Sequence, residues 1–297
     1  MPIATQFEYV KPADMDEALQ VLAMYKEKAR PLAGGTDLIV HLKEGFAKPE
    51  VVLDVKALKE LSGLSLKNGV LRVGALVTFA ELLESAAVKK NFPDLWEAAG
   101  TVASTGVRNR ATLAGNICSA VPSADSAPPL LAHDAVVRVR SRAGERLVSI
   151  HEWFTGPKRT ALGPDELVVS VEVGVPEKKF GACYMKLSRY DGEDLAQGGV
   201  EAAVFTDHNY RVAFCALGPV PARALKTEAY LKGKKVTEQT VKQAGELLAG
   251  EISPISDIRS SKEYRTHMAR IMIGRALETA VSRLSGRGPK YGEGNIC

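Results

Sequence analysis

Five short elements crowd into the first 57 residues, and their spacing constrains the fold more than any other feature of the chain. Residues 7–10 read as a strand entering a Lys-Pro turn. Asp14 is placed to cap a helix whose apolar stripe is Ala18, Leu19, Leu22 and Ala23. Residues 29–33 read as a short buried strand ending at Gly34-Gly35. A second helix, with Leu38, Ile39 and Leu42 on one face, stops at Gly45, and residues 51–55 supply a third strand. Strand–helix–strand spacing this tight predicts a small parallel sheet.

The texture changes after Val55. Residues 64–66 and 70–73 flank Asn68-Gly69, the signature of a β-hairpin. Thr78 is placed to cap a helix reaching Leu83, and a second helical stretch covers residues 95–103. Residues 135–140 and 146–149 form another hairpin, and the β-branched run 167–173 is closed by Pro176. This region is expected to be α+β with mostly antiparallel pairing. Residues 176–180 read as a charged linker. Strands at 181–187, 199–207 and 211–217 follow, then helices at 222–231, 237–249 and 261–284. That order predicts a C-terminal domain with a small antiparallel sheet against helices.

Composition narrows the function classes. The net charge of +4 on 297 residues makes no basic stripe of the kind nucleic acid requires. No apolar run approaches the roughly 18 residues that span a bilayer. The N-terminal stretch lacks the pattern of a secretory signal, so a cytoplasmic location is expected. Cys118, Cys183, Cys215 and Cys297 are dispersed and form no C-x-x-C pair. They are expected to be reduced, small apolar side chains rather than ligands of a metal or cluster.

Two segments carry chemistry. In the first, Leu32-Ala33-Gly34-Gly35-Thr36-Asp37-Leu38-Ile39, a strand runs through paired glycines into a helix opened by Thr36 or Asp37. Consecutive amides ahead of a helix suit a pyrophosphate. The spacing matches neither the Rossmann nor the P-loop fingerprint, and a Gly-Gly turn of this kind is also common without a ligand. The second segment runs from Thr112 through Ala114-Gly115-Asn116 and Ser119 to Asp125. Small residues in a packed region mean close backbone approach, with Thr112, Asn116, Ser119 and Ser123 as polar partners and Asp125 as a carboxylate suited to ribose or ribityl hydroxyls. A well-capped loop is the competing reading.

Taken together, Ala-Gly-Gly-Thr-Asp-Leu near residue 35, Thr-Leu-Ala-Gly-Asn-Ile from Thr112 and Pro-Ser-Ala-Asp-Ser ending at Ser126 resemble the FAD-binding medium subunit of the xanthine dehydrogenase and carbon monoxide dehydrogenase family of molybdenum hydroxylases. The similarity continues through Lys186-Leu187-Ser188-Arg189, Gly192-Glu193-Asp194-Leu195-Ala196, Pro254-Ile255-Ser256-Asp257-Ile258-Arg259 and Tyr264-Arg265. It covers nearly the whole chain in order. The resemblance implies an α+β fold: a two-subdomain FAD-binding domain of the vanillyl-alcohol oxidase-like (PCMH) type over residues 1–177, divided near residue 57, then a C-terminal domain over 178–297.

Further implications attach to single residues. Residues 32–39 would hold the pyrophosphate through main-chain amides, and Thr112, Ala114, Gly115 and Asn116 would form the opposing wall. Asp125 falls where relatives place a carboxylate on the cofactor, Val169 at an apolar contact, Val102 among the cofactor-binding positions, and Lys186 at a lysine that would favour an anionic reduced flavin. The bland reading of Lys186 is a solvated strand lysine. Leu195 falls where relatives carry a tyrosine or an aliphatic residue against the flavin ring. Two departures stand out: Ala114-Gly115 where relatives often have two glycines, and Arg189-Tyr190-Asp191-Gly192 where many are more basic.

The implied role is electron transfer. A [2Fe-2S] small subunit and a molybdopterin large subunit would supply electrons, in a dimer of heterotrimers, and an external acceptor would remove them. A variant with a cysteine-rich cluster loop in this subunit is not expected from the dispersed cysteines. A stand-alone flavin oxidase or reductase, and a non-catalytic nucleotide-binding module or assembly subunit, are the alternatives. His41, His133, His151, His208 and His267 lie outside the glycine motifs and pair with nothing in sequence, which disfavours the oxidase. Substrate and acceptor are not encoded in this chain's motifs.

Overall fold

The N-terminal elements fold as their spacing predicts. β1 (Glu8–Val10), α1 (Met15–Tyr25), β2 (Ala29–Leu32), α2 (Leu38–Lys43) and β3 (Val51–Asp54) follow in order in the computed structural model, which describes residues 3, 5–190 and 192–293. β3 lies between β1 and β2 and runs parallel to both, with Val52 opposite Tyr9 and Arg30. It is buried at every residue, whereas both edge strands keep exposed positions. Asp14 accepts from the Glu17 amide at 2.9 Å, satisfying an otherwise free donor of the first turn of α1. The buried stripe of α1 is Met15, Ala18, Leu19 and Leu22; Ala23 is only half-buried.

The middle region contains β4 (Leu64–Lys67), β5 (Val70–Gly74), α3 (Phe79–Glu84), α4 (Ala86–Asn91), α5 (Pro93–Gly100), α6 (Thr105–Arg108), α7 (Leu113–Ser119), α8 (Ala127–Ala132), β6 (Val136–Ser141), β7 (Gly144–Ser149), α9 (Ile150–Trp153), β8 (Phe154–Gly156), β9 (Arg159–Thr160) and β10 (Leu167–Gly174). Five strands form an antiparallel sheet in the order β4-β5-β10-β6-β7. Asn68 and Gly69 both take positive φ, 50° and 73°, which matches the strand twist across the two-residue turn. The helix expected at 95–103 starts earlier, at Pro93, and stops at Gly100; Ala103, at φ 42°, cannot continue it. One apolar core runs through both regions, from Leu19 and Leu53 to Phe79, Leu113, Trp153 and Val171.

The C-terminal region has its own core. β11 (Phe180–Leu187), β12 (Gly198–Phe205), β13 (Tyr210–Cys215) and β14 (Ala222–Arg223) form an antiparallel sheet, followed by α10 (Leu225–Leu231), α11 (Glu238–Ala249) and α12 (Lys262–Leu284). Ala222 and Arg223, expected to open a helix, instead pair with Phe214 and Ala213. The Ala224 amide also donates to Val212, so α10 begins only at Leu225. Side chains alternate across this sheet. Met185, Val200, Val212 and Phe214 face Met272 and Leu277 of α12 in a dry core, while Tyr184 and Cys215, on the opposite face, meet Ala98 of α5.

Cys183 and Cys215 are buried, Cys118 is half-buried, all three are free thiols, and Cys297 lies outside the described residues. Among the described residues no group of His, Cys, Asp and Glu is arranged to hold a metal ion, and no helix is long and apolar enough to cross a membrane.

Candidate cofactor site

The two glycine segments meet. Gly34 packs against the backbone of Arg110, where an added Cβ would lie 2.0 Å from the carbonyl oxygen. Gly35 has φ 79°, a conformation that disfavours any side chain. These glycines are therefore required by the protein's own packing and turn geometry. Asp37 occupies the N-cap position of α2 but does not cap it; its carboxylate accepts from the Ser119 hydroxyl, stapling the first segment to the end of α7. The amides of Gly34, Gly35, Thr36 and Asp37 have no acceptor among the described residues. Leu32 is buried, and half-buried Leu38 and Ile39 pack with it on Leu42 and Val52 to anchor the loop, while Ala33 is half-buried.

The opposing segment is set by a cap. Thr112 Oγ1 accepts from the Gly115 amide at 2.9 Å, and a Cβ on Gly115 would sit 2.9 Å from that oxygen. Glycine here keeps the cap intact. Ala114 is buried, so its methyl group is absorbed by the core. Asn116 Oδ1 accepts from Ser126 Oγ at 2.7 Å, holding α7 against the turn that presents Asp125. Val169 is the residue at which β10 slips register against β6, and its carbonyl accepts from Ala75. Such a bulge bends the strand and re-aims a side chain.

Asp125 and Lys186 are brought together. Lys186 Nζ donates to Asp125 Oδ2 at 3.0 Å and to the Thr101 carbonyl at 2.8 Å, and Tyr184 donates its hydroxyl to Asp125 Oδ1 at 2.7 Å. Lys186 is 2% exposed, so the reading of it as a solvated strand lysine is overturned. It lies on the sheet face that packs against the middle region rather than on a water-facing one. Burial pushes the Asp125 carboxyl up, against the pull of Lys186, and raises Tyr184 and Cys215 as well. Beside Thr101, buried Val102 and Ala103 are fixed through their carbonyls, which accept from Arg108.

Leu195 stands apart, 51% exposed, on the loop between β11 and β12. That loop is held by Asp194, which accepts from the Arg189 amide and guanidinium, and the Arg189 contacts hold its carboxyl down at about 2. Asp191 of the divergent stretch lies outside the described residues. The sequence reading missed Tyr184, whose signal was its position two residues before Lys186 on the same strand face. It also missed Arg108 and Thr101, which act through backbone carbonyls and leave no sequence signal.

Residues 5–176 match the family described as FAD binding domain in molybdopterin dehydrogenase, and residues 183–280 match the CO dehydrogenase flavoprotein C-terminal domain. The chain belongs to this family of FAD-binding oxidoreductase subunits. It is 32% identical to a putative xanthine dehydrogenase FAD-binding subunit of Escherichia coli, over 94% of this chain and 97% of that one. It is 31% identical to the glyceraldehyde dehydrogenase medium chain of Sulfolobus acidocaldarius, over 92% and 98%. Among solved structures, carbon monoxide dehydrogenase from Hydrogenophaga pseudoflava superposes with a TM-score of 0.91 at 31% identity, covering 95% of this chain and 99% of that chain. Quinoline 2-oxidoreductase from Pseudomonas putida gives 0.89 at 29%, covering 96% and 99%.

Proposed function

We propose that this chain carries FAD and relays electrons from [2Fe-2S] clusters of a small partner subunit, themselves fed by a molybdopterin cofactor on a large subunit, to an external acceptor. The four consecutive amides at residues 34–37 carry this reading: they form a row of donors, on residues that are half-buried or exposed, without acceptors among the described residues, and so suit a pyrophosphate. Thr112, Ala114, Gly115 and Asn116 form the opposite wall, with Ser119 holding the first segment in place through Asp37. Val102, Val169, Asp125, Lys186 and Leu195 complete the set toward the C-terminal region. When bound, the flavin accepts electrons singly or in pairs and so joins one-electron clusters to a two-electron acceptor. Lys186 places a fixed cation where negative charge on a reduced ring would be favoured, and Asp125 orients it.

The same reading divides the chain at residues 1–177, with subdomains near 1–57 and 58–177, and 178–297. It places the complex in the cytoplasm as a dimer of heterotrimers. A stand-alone oxidase is disfavoured by the histidines: His133 and His151 are engaged with Asp94 and Asp134.

Anaerobic flavin bleaching tests the relay. Dithionite is expected to reduce the isolated, FAD-loaded chain, and an organic substrate only with the partners present; direct bleaching of the isolated chain by substrate would move the active site here. Metal analysis of that chain is expected to find neither iron nor molybdenum. Gly35→Val and Asn116→Ala are each expected to weaken FAD binding, and unchanged affinity in both variants, with intact melting curves, would displace the site.

A further inference from the structure

Apart from Lys186, the face of the C-terminal sheet that meets the middle region buries a second set of charges. Glu201, on β12, stands opposite Tyr184 of β11 and Ala213 of β13, and is 0% exposed. Helix α5 supplies two further buried carboxyls, Asp94 and Glu97. Glu97 is fully engaged: Arg283 of α12 holds it through two nitrogens at 2.8 and 3.0 Å, and the amides of Tyr184 and Gly292 donate to it at 3.1 and 2.8 Å. Asp94 Oδ2 is taken by His133 Nε2 at 2.6 Å, with the imidazole fixed edge-on between Phe92 and Phe180. Among the described residues, both oxygens of Glu201 lack a hydrogen-bond partner, as does Asp94 Oδ1.

Three carboxyls thus share two basic partners, and Glu201 is the one left over. Among the described residues, the remaining titratable groups around it offer no charge to balance it. The Tyr184 hydroxyl is committed to Asp125, Cys183 is a buried thiol, and the Tyr291 hydroxyl accepts from the Ala182 amide. An unpaired carboxylate in such a place is strongly disfavoured, and a group so placed gives up its charge.

We propose that Glu201 is a neutral carboxylic acid in the seam between the flavin-binding half and the C-terminal region, and that its ionisation as pH rises releases that seam. Burial, with the negative charges of Asp94 and Glu97 behind it, pushes the Glu201 carboxyl well above the usual carboxylate range, against a smaller opposing pull from Arg283. The sign follows. A carboxyl that holds its proton more tightly folded than unfolded leaves stability intact below the ordinary glutamate range, at about 4.3, and costs stability as pH climbs toward its raised value. Lys186 and Asp125 span the same seam, so loosening it frees one side of the cofactor site. That last consequence rests on the FAD reading above; the latch itself does not.

The test compares thermal midpoints of the full chain and Glu201→Gln, with and without FAD, across pH. The amide mimics the neutral acid, so the two are expected to coincide near pH 4, with the variant then gaining on the order of 2–4 °C per pH unit. FAD release is expected to quicken with pH in the unaltered chain and to stay flat in the variant. A variant less stable than the unaltered chain at neutral pH would overturn the proposal, because Glu201 would then be a paired carboxylate. If the variant does not fold, infrared spectra of the unaltered chain decide: a protonated-carboxyl carbonyl band should persist at neutral pH, and its absence refutes the latch. Failure to bind FAD at all would remove the cofactor reading while leaving the melting comparison intact.

Discussion

The two sides of the proposed cofactor site are held by opposite means. On the N-terminal side the loop at residues 34–37 offers backbone amides, half-exposed, and the glycines are fixed by packing against Arg110 and by positive φ. On the C-terminal side the contact is a pair of charged side chains buried between two regions, Lys186 with Asp125. Amides that keep access to water cost little while unliganded. Buried charges carry a desolvation penalty that only good geometry offsets. The first side suits tight holding of a polyanion, and the second suits tuning what happens beside it.

Substitutions can break or sharpen that contrast. The largest effect is expected from Lys186→Met, which leaves Asp125 buried without its cation; about 3–5 kcal/mol of unfolding free energy should be lost. Adding Asp125→Leu should recover most of it in denaturant titrations. A double variant no better than the single one would mean that the pair is a net stabiliser, and the contrast would fail. Gly34→Ala comes next, at about 1–3 kcal/mol, because the loop must withdraw from Arg110; FAD affinity should fall with it. Ser119→Ala removes the staple to Asp37 and is expected to cost about 1 kcal/mol. A loss exceeding that of Lys186→Met would reverse the ranking of the two sides.

The smallest expected effect is a pH response in the loop carrying Leu195. Asp194, held at about 2 by Arg189, supports that loop above the ordinary aspartate range, about 3.9, and loses this role as pH falls toward its own value. Hydrogen exchange at the Arg189 amide should stay slow down to about pH 4 and quicken below it. Quickening already near neutrality would show that Asp194 is not what holds the loop.

Much of this architecture was legible because local chemistry and tertiary fold agree. Asn68-Gly69 names its turn, Asp14 and Thr78 name their caps, and the alternation of short strands and helices names the parallel sheet. The failures are tertiary. Ala222-Arg223 has ordinary helix-forming residues, but β13 offers it an open edge. The slip at Val169 leaves no trace in a run of valines. Glu201 and Lys186 sit in strands whose alternation assigns them to water, and only the packing of α5 and α8 on that face shows otherwise. The pairing of Asp37 with Ser119 joins residues too far apart in sequence for any periodicity to reveal.

The separate dry core behind the C-terminal sheet has a consequence for how the molecule opens. Val200, Phe214, Met272 and Leu277 belong to one buried cluster on the face away from the middle region, so their packing does not use contacts across the seam. Undocking is therefore expected to be a rigid departure of that block, at lower free energy than global unfolding. Amide exchange should record two populations of opening. Tyr184 and Gly292, whose amides donate to Glu97 across the seam, should exchange with the earlier event. The amides of α12 that lie against the dry core should wait for the later one.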